Sequence, residues 1–326
     1  MKALRFDRFG DAGAVLHVEE IPIPVAGPDE VLVQVRAASI NPSDVKNVQG
    51  KFAQTTLPRT PGRDLAGIVK GGAPEMMGRE VWATGGDIGF TRDGSHAEYI
   101  VIPQRAAVQK PPPLSMVEAA SVGTNYITAF LGLVEKARLR EGETVLVTGA
   151  GGGVGSSVVK VAKTRGARVI GVDRAAPKAA SGRGPDVDLG LSSESDDVVA
   201  RAEEFTEGRG VDVVFDCVGG PLFETGLRTL GLYGRQVTIT VTGDRRVSFD
   251  LLDFYRRQLT LFGLNTALLD TVACGAILDR LRPSFEEGGL TPPRISRACS
   301  IEDAVEAYGQ VDKGTAGGKI VITFAG

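Results

Sequence analysis

Two spacings of hydrophobic positions divide this chain. Up to about residue 120 apolar and polar residues alternate in short runs, as in Glu30-Val31-Leu32-Val33-Gln34-Val35-Arg36. Proline and glycine cut these runs at Ile21-Pro22-Ile23-Pro24, Ala26-Gly27-Pro28, Leu57-Pro58, Thr60-Pro61-Gly62 and Lys70-Gly71-Gly72-Ala73-Pro74. Alternation buries one face of each strand and the breakers end it, so this part predicts a small barrel or sandwich. Lys110-Pro111-Pro112-Pro113 reads as a stiff junction. Beyond it the period lengthens. Residues 115–135 suit helices, with Ser115 and Glu118 spaced as a capping box. Strands at 144–148, 168–173, 212–216, 235–241 and 259–264 are then interleaved with helices at 154–164, 196–207 and 221–230. A long helix near 268–287 and a strand at 318–323 close the chain. Strands that are apolar throughout, separated by amphipathic helices, predict a parallel sheet covered on both faces. The fold class is therefore α/β, in two domains.

Composition narrows the function. Lys+Arg 37 against Asp+Glu 40 leaves a net charge of −3. Such a balance counts against a nucleic-acid partner and against polybasic attachment to a membrane. Three cysteines (Cys217, Cys274, Cys299) cannot build a disulfide framework, and two distant histidines (His17, His96) cannot build a His cage. The opening Met1-Lys2-Ala3-Leu4-Arg5-Phe6 lacks the apolar core of a signal peptide, and no apolar run has the length of a membrane span. The expectation is a reduced, cytoplasmic protein without membrane or nucleic-acid partners. Glycine is the outlier: 43 of 326 residues, nearly twice the usual ~7 %.

Glycine concentrates in Thr148-Gly149-Ala150-Gly151-Gly152-Gly153-Val154-Gly155, which directly follows an apolar strand and opens a helix. That context suits a dinucleotide. Gly149 allows a tight turn, Gly151, Gly152 and Gly153 let a pyrophosphate touch main chain, and the helix start at Val154 offers free N–H groups. Asp173 ends the next strand, where a carboxylate accepts from ribose hydroxyls and favours NAD; Arg174 and Lys178 follow at once, and two cations there favour the 2′-phosphate of NADP. From these residues the choice is even.

Metal ligands are missing from the pattern. A catalytic zinc wants about three ligands from Cys, His and Asp/Glu, and a structural zinc four Cys or Cys/His at short spacing. Neither is present. Cys217 reads as core, Cys274 as part of a helix, Cys299 as part of an irregular segment, and His96 as a strand residue.

Several segments in order resemble the zinc-free quinone oxidoreductase (zeta-crystallin-like) branch of the medium-chain dehydrogenase/reductase superfamily. They are Met1-Lys2-Ala3, Pro28-Asp29-Glu30-Val31-Leu32-Val33, Asn41-Pro42-Ser43-Asp44, Pro61-Gly62-Arg63-Asp64-Leu65-Ala66-Gly67, Gly94-Ser95-His96-Ala97-Glu98-Tyr99, Tyr126-Ile127-Thr128-Ala129, the glycine loop, and Gly317-Gly318-Lys319-Ile320-Val321. The resemblance implies a GroES-like β-barrel catalytic domain from residues 1–122 and 266–326 and an inserted Rossmann domain at 123–265, with the active site in the interdomain cleft. It puts Asn41 where zinc alcohol dehydrogenases carry a cysteine ligand and Gly62-Arg63-Asp64 where they carry Gly-His-Glu, so no metal is expected. The turn after Asp44 lacks the family's frequent tyrosine. Leu191 stands in place of a tyrosine that helps bind the 2′-phosphate, and Asp173 in place of a small residue, while Lys178 matches a phosphate-binding lysine. The resemblance tilts the cofactor towards NADP(H) over NAD(H).

The expected reaction is hydride transfer from NAD(P)H to a quinone or an α,β-unsaturated carbonyl, with neutral donors meeting the charge on the carbonyl oxygen. Asn41, Ser43 and Thr128 are the candidate catalytic residues, and Asn41 and Thr128 also contact the cofactor; Tyr126 is a candidate proton donor and, alternatively, a packing residue. Thr240, Val241, Leu264 and Asn265 end the last two sheet strands and should line the nicotinamide pocket, and Val218 is a further candidate cofactor contact. Two other readings stand beside this one: an alcohol/ketone dehydrogenase of the same fold, and a non-catalytic nucleotide-binding protein. The family further implies a homodimer joined through edge strands of the nucleotide domain.

Overall fold

The computed structural model describes residues 1–177 and 187–325, which form two compact units: Met1–Ile127 with Thr266–Gly326, and Thr128–Asn265. The first unit opens with β1 (Lys2–Arg5), α1 (Ala12–Val15) and β2 (His17–Glu20), the two strands paired antiparallel. Its spine is β3 (Glu30–Ile40), on which Val31, Val33 and Val35 are fully buried and the residues between them are not. That two-residue period is the one read from the sequence. Then come α2 (Pro42–Val48), β4 (Asp64–Gly71), β5 (Glu80–Ala83), β6 (Tyr99–Pro103), β7 (Val108–Gln109) and α3 (Met116–Phe130), whose residues from Thr128 on belong to the second unit. At the start of α3 the Glu118 carboxylate accepts from the Ser115 N–H at 2.8 Å, and Ser115 Oγ accepts from the Glu118 N–H at 3.2 Å. A π-helical turn, Leu131–Lys136, continues α3. The stretch Met116–Lys136 passes the length and composition test for a membrane span, against the expectation above, but 78 % of its window is buried, as in a core helix.

The second unit runs β8 (Thr144–Thr148), α4 (Gly153–Thr164), β9 (Arg168–Asp173), β10 (Leu189–Ser192), α5 (Val198–Phe205), β11 (Val211–Asp216), α6 (Phe223–Thr229), β12 (Leu230–Thr238), α7 (Leu251–Arg256) and β13 (Thr260–Gly263). All its strand pairs are parallel, in the order β10-β9-β8-β11-β12-β13. The order reverses between β8 and β11, the kind of switch point beside which ligands bind at the carboxyl ends of strands. The chain then returns to the first unit with α8 (Thr271–Glu286), β14 (Ile295–Cys299), α9 (Ala304–Asp312) and β15 (Lys319–Thr323). β15 pairs antiparallel with β3 inside a seven-stranded sheet.

Local differences from the sequence reading have physical causes. β12 stops at Thr238, not at residue 241. The turn after β11 presses on the chain there: a Cβ on Gly219 would lie 2.4 Å from the Thr240 carbonyl oxygen. The long helix starts at Thr271 rather than 268, because the Asp270 side chain accepts from the Ala273 N–H at 2.8 Å and sets the boundary. Cys299 ends strand β14 instead of lying in an irregular segment, and His96 occupies a bend before β6 instead of a strand. β10 and α9 carried no clear periodic signal.

Candidate dinucleotide site and the polar knot of the first unit

In the second unit the glycine turn has the shape the sequence demands. Gly149 adopts φ +65°, which L side chains rarely tolerate. A Cβ on Gly155 would stand 2.1 Å from the Gly149 carbonyl oxygen, so α4 can pack on β8 only with glycine there. Gly152 is the N-cap of α4 with no side chain to offer. The N–H groups of Gly153, Val154 and Gly155 in the first turn have no helical carbonyl to meet, and they sit at the positive end of the helix dipole. These residues fit a pyrophosphate.

Asp173, at the end of β9, accepts from the Gly151 N–H at 2.9 Å through Oδ2 and from the Arg174 N–H at 2.8 Å through Oδ1. Gly151, Asp173, Arg174, Ala175, Pro177 and Glu194 line a cavity of about 500 Å³. Lys178 lies outside the described residues. Leu191 is 2 % exposed and belongs to the core of this unit, so it does not face a ribose.

The other strand ends assemble beside this turn. Gly149, built with a Cβ, would meet Val218 at 3.3 Å. Val218 itself is held by Asp216, whose Oδ1 accepts from Thr148 Oγ1 at 2.6 Å and from the N–H groups of Val218 at 3.1 Å and Gly219 at 2.8 Å. Asp216 escaped sequence reading because its apolar strand looks like core. Thr240 and Val241 follow β12, and Leu264 and Asn265 follow β13, so all four lie at carboxyl strand ends. Thr128 lies within α3 and is 5 % exposed. Cys217, next to Asp216, is partly exposed, and burial followed by the Asp216 and Asp173 charges pushes its thiol up.

In the first unit Asn41 and Ser43 are brought together at the start of α2, but Asn41 is not an uncommitted donor. It is 2 % exposed. Its Nδ2 donates to Asp64 Oδ2 at 2.9 Å, and its Oδ1 accepts from Lys319 Nζ at 2.5 Å. Asp64, fully buried, also accepts from Ser39 Oγ at 3.0 Å, the Thr124 N–H at 2.9 Å and Thr124 Oγ1 at 2.7 Å. Burial pushes the Asp64 carboxyl up, but Lys319 and the hydrogen bonds outweigh it and hold the group below its ordinary range. Burial lowers Lys319, opposed by Asp64 and Asp44. Asp44 accepts from the Asn41 N–H at 2.8 Å and is pushed up to about 7, by burial first and then by Asp64. Ser43 Oγ is buried with no hydrogen-bond partner among the described residues. Tyr126 donates to the Thr291 carbonyl and packs edge-on to Phe285, the packing role of the two considered. His96 is fully buried and is pushed down to about 4 by burial, which removes it as a base. Lys319 and Asp64 were not read as site residues. Lys319 in particular begins a strand at a position that looks like an ordinary exposed end.

A doubly wound parallel sheet with a phosphate-ready glycine turn, in one chain with a seven-stranded β unit, defines a two-unit dinucleotide-binding protein. Comparison agrees. Residues 153–276 match the family described as Zinc-binding dehydrogenase and residues 27–112 the Alcohol dehydrogenase GroES-like domain. A zinc-type alcohol dehydrogenase-like protein of Schizosaccharomyces pombe is 36 % identical over 315 residues, covering 94 % of this chain and 93 % of that protein. A 2-methylene-furan-3-one reductase of Solanum lycopersicum is 30 % identical over 334 residues, covering 99 % and 79 %. The crystal structure of an alcohol dehydrogenase superfamily protein from Novosphingobium aromaticivorans superposes with a TM-score of 0.86 at 29 % identity, covering 100 % of both chains. The chain belongs to the medium-chain dehydrogenase/reductase superfamily, as an NAD(P)-dependent oxidoreductase with a GroES-like and a Rossmann-like domain.

The zinc named in one of these family descriptions finds no fitting residues in the knot. Asn41 Oδ1 already meets an ammonium, both oxygens of Asp64 are fully engaged, and Arg63 is a cation bonded to the carbonyls of Gly85 at 2.7 Å and Thr266 at 3.1 Å. Among the described residues no group of three or more His, Cys, Asp or Glu could hold a metal ion.

Proposed function

We propose that this protein reduces an α,β-unsaturated carbonyl or quinone, with a reduced nicotinamide dinucleotide as hydride donor and no metal. The observation that carries this reading is the Asn41–Asp64–Lys319 knot, which puts a hydrogen-bonded ion pair where a metal-dependent relative would need ligands. The bound dinucleotide supplies the hydride. A hydride delivered to the β-carbon of an enone moves an electron pair onto the carbonyl oxygen. Neutral donors suffice to stabilise that oxygen. Ser43 Oγ, which has no partner among the described residues, is the group of the first unit assigned to it. No side chain among the described residues is assigned as acid for the α-carbon, and water is the proton source in this reading. The Solanum relative is named for a 2-methylene-furan-3-one, itself an enone, and this favours the reading.

For the cofactor the geometry favours NAD(H), against the tilt expected from the resemblance. Asp173 and Glu194 both line the cavity beside the glycine turn, and a 2′-phosphate there would meet two carboxylates. Arg174 is exposed and makes no side-chain hydrogen bond among the described residues, so it can lie against the adenosine without reversing that charge.

We further propose a cytoplasmic homodimer. Among the described residues β13 pairs only with β12 and leaves an open edge, with Leu232, Tyr233, Leu251, Leu252, Tyr255 and Leu261 exposed in the same unit. An open strand beside an apolar patch invites an isologous contact.

The test is anaerobic stopped-flow oxidation of NADH and NADPH against a panel of enones, quinones, ketones and aldehydes. Enone or quinone turnover with a preference for NADH is expected. Turnover confined to the ketones and aldehydes would replace this reading with the alcohol dehydrogenase one. Tight binding of either nucleotide without turnover would make the protein a non-catalytic binder.

A further inference from the structure

We propose that the Lys319 ammonium is the resident cation of a buried anion site centred on Asp64, holding by covalent tether the place that a free cation would otherwise take. It shares these residues with the reaction proposed above but concerns what neutralises the interior of the first unit, and its thermal tests read that without turnover.

Asp64 is the centre of this site. Its two oxygens receive four hydrogen bonds: Thr124 N–H and Oγ1 on Oδ1, and Ser39 Oγ and Asn41 Nδ2 on Oδ2. A carboxyl that accepts from a main-chain amide and a carboxamide while fully buried is held as an anion. A buried anion without a counter-charge is costly. Arg63 is adjacent in sequence but spends its guanidinium on the carbonyls of Gly85 and Thr266, and its face lies 5.8 Å from the Phe90 ring centroid. Lys319, 255 residues on, is the cation within ion-pair distance of Asp64 among the described residues, at 3.9 Å. It is 6 % exposed. Strand β15 pairs with β3 through Ile320 and Ile40, which delivers the lysine beside Asn41 and Asp64.

The same ammonium donates to Asn41 Oδ1, so one cation joins the amide to the carboxylate and fixes both. The acceptors around it are the amide oxygen of Asn41 and the carboxylate of Asp64. That set suits an ammonium or alkali cation and lacks the thiolates and imidazoles that zinc prefers.

Three measurements on the full chain test this. Lys319→Met keeps the length of the side chain and removes the charge; a fall in Tm of about 10 °C is expected for an uncompensated buried carboxylate. Adding Asp64→Asn to Lys319→Met removes the anion as well, and the double variant should recover much of that loss. Lys319→Ala leaves room for the deleted atoms, so n-propylammonium should raise its Tm, whereas propanol and tetramethylammonium at equal concentration and ionic strength should not. An unchanged Tm in Lys319→Met, additive losses in the double variant, or no selective rescue by n-propylammonium would each overturn the proposal. If the single variants do not fold, folding of the double variant supports it. If the double variant also fails, the wild type decides through elemental analysis of protein made in zinc-rich medium. One zinc per chain with a Tm raised by zinc overturns the proposal, and absence of bound zinc supports it.

Discussion

Tyr308 Oη donates to His96 Nδ1 across 2.9 Å, although 212 positions separate the two in the chain. The other ring nitrogen, Nε2, lies 3.2 Å from the Ser39 carbonyl oxygen, which can only accept. The pair therefore defines one neutral tautomer, with the proton on Nε2. Gly62, at φ +100°, sits so close that a Cβ there would be 2.4 Å from the imidazole.

This pairing has a pH signature. His96 is pushed down to about 4 from its ordinary 6.5. Between those values the unfolded chain binds the extra proton, so this group's contribution is complete above pH 6.5 and lost as pH falls towards 4, about 3 kcal/mol in all. Asp44, pushed up to about 7 from 3.8, acts oppositely. There the native state holds the proton, and about 4 kcal/mol is lost as pH rises from 4 to 7. The two largely cancel over this window. Urea titrations at several pH values should show Asp44→Asn gaining stability as pH rises, and His96→Gln losing it. Parallel pH profiles for the two variants would refute the assignment.

Ser43→Ala separates chemistry from folding. Removing a buried hydroxyl that has no partner among the described residues should leave stability within about 0.5 kcal/mol. If Ser43 meets the carbonyl oxygen, kcat for an enone should fall roughly 10- to 100-fold while NADH affinity stays constant. Rapid-mixing kinetics and a fluorescence titration together check this.

Asp173→Ser should move cofactor preference towards NADPH. If the adenosine ribose lies in the cavity lined by Asp173 and Glu194, losing one of its two carboxylates changes the NADPH/NADH ratio of kcat/KM by about 10- to 100-fold, a like-charge term of roughly 1–3 kcal/mol. Steady-state kinetics with both coenzymes gives the ratio; no change would place the 2′-hydroxyl elsewhere.

Gly155→Ala tests the helix–strand contact at the proposed pyrophosphate turn. With 2.1 Å between the added Cβ and the Gly149 oxygen, α4 must shift. A loss of about 1–3 kcal/mol in stability and a weakening of NADH binding of roughly 100-fold or more are expected, by calorimetry and titration.

Leu261→Asp tests the open edge. A charge on β13, at the end of the six-stranded sheet, should convert a dimer to a monomer in light scattering without changing the circular dichroism. Dimers that persist would move the interface away from this edge.

The glycine turn of the second unit was legible because strand, turn and helix are contiguous there and each needs a local residue type: φ +65° at Gly149, no side chain at Gly152, no room at Gly155. The alternation of β3 and the apolar strands β8, β9 and β11 were legible for the same reason, since burial on one face or both is written into the spacing of neighbours. The occupation of Asn41 was not. Its amide faces Asp64 at a separation of 23 residues and Lys319 at 278. Whether a lysine near a strand end reaches solvent or a buried carboxylate depends on which strands pair, and here β15 pairs with β3. So the sequence by itself determined the main strands and helices, the two-unit plan and the phosphate turn, whose physics is local. Only the tertiary structure decided which polar groups remain available for a ligand and which are consumed neutralising the interior, because burial and pairing of charges are properties of residues brought together from far along the chain.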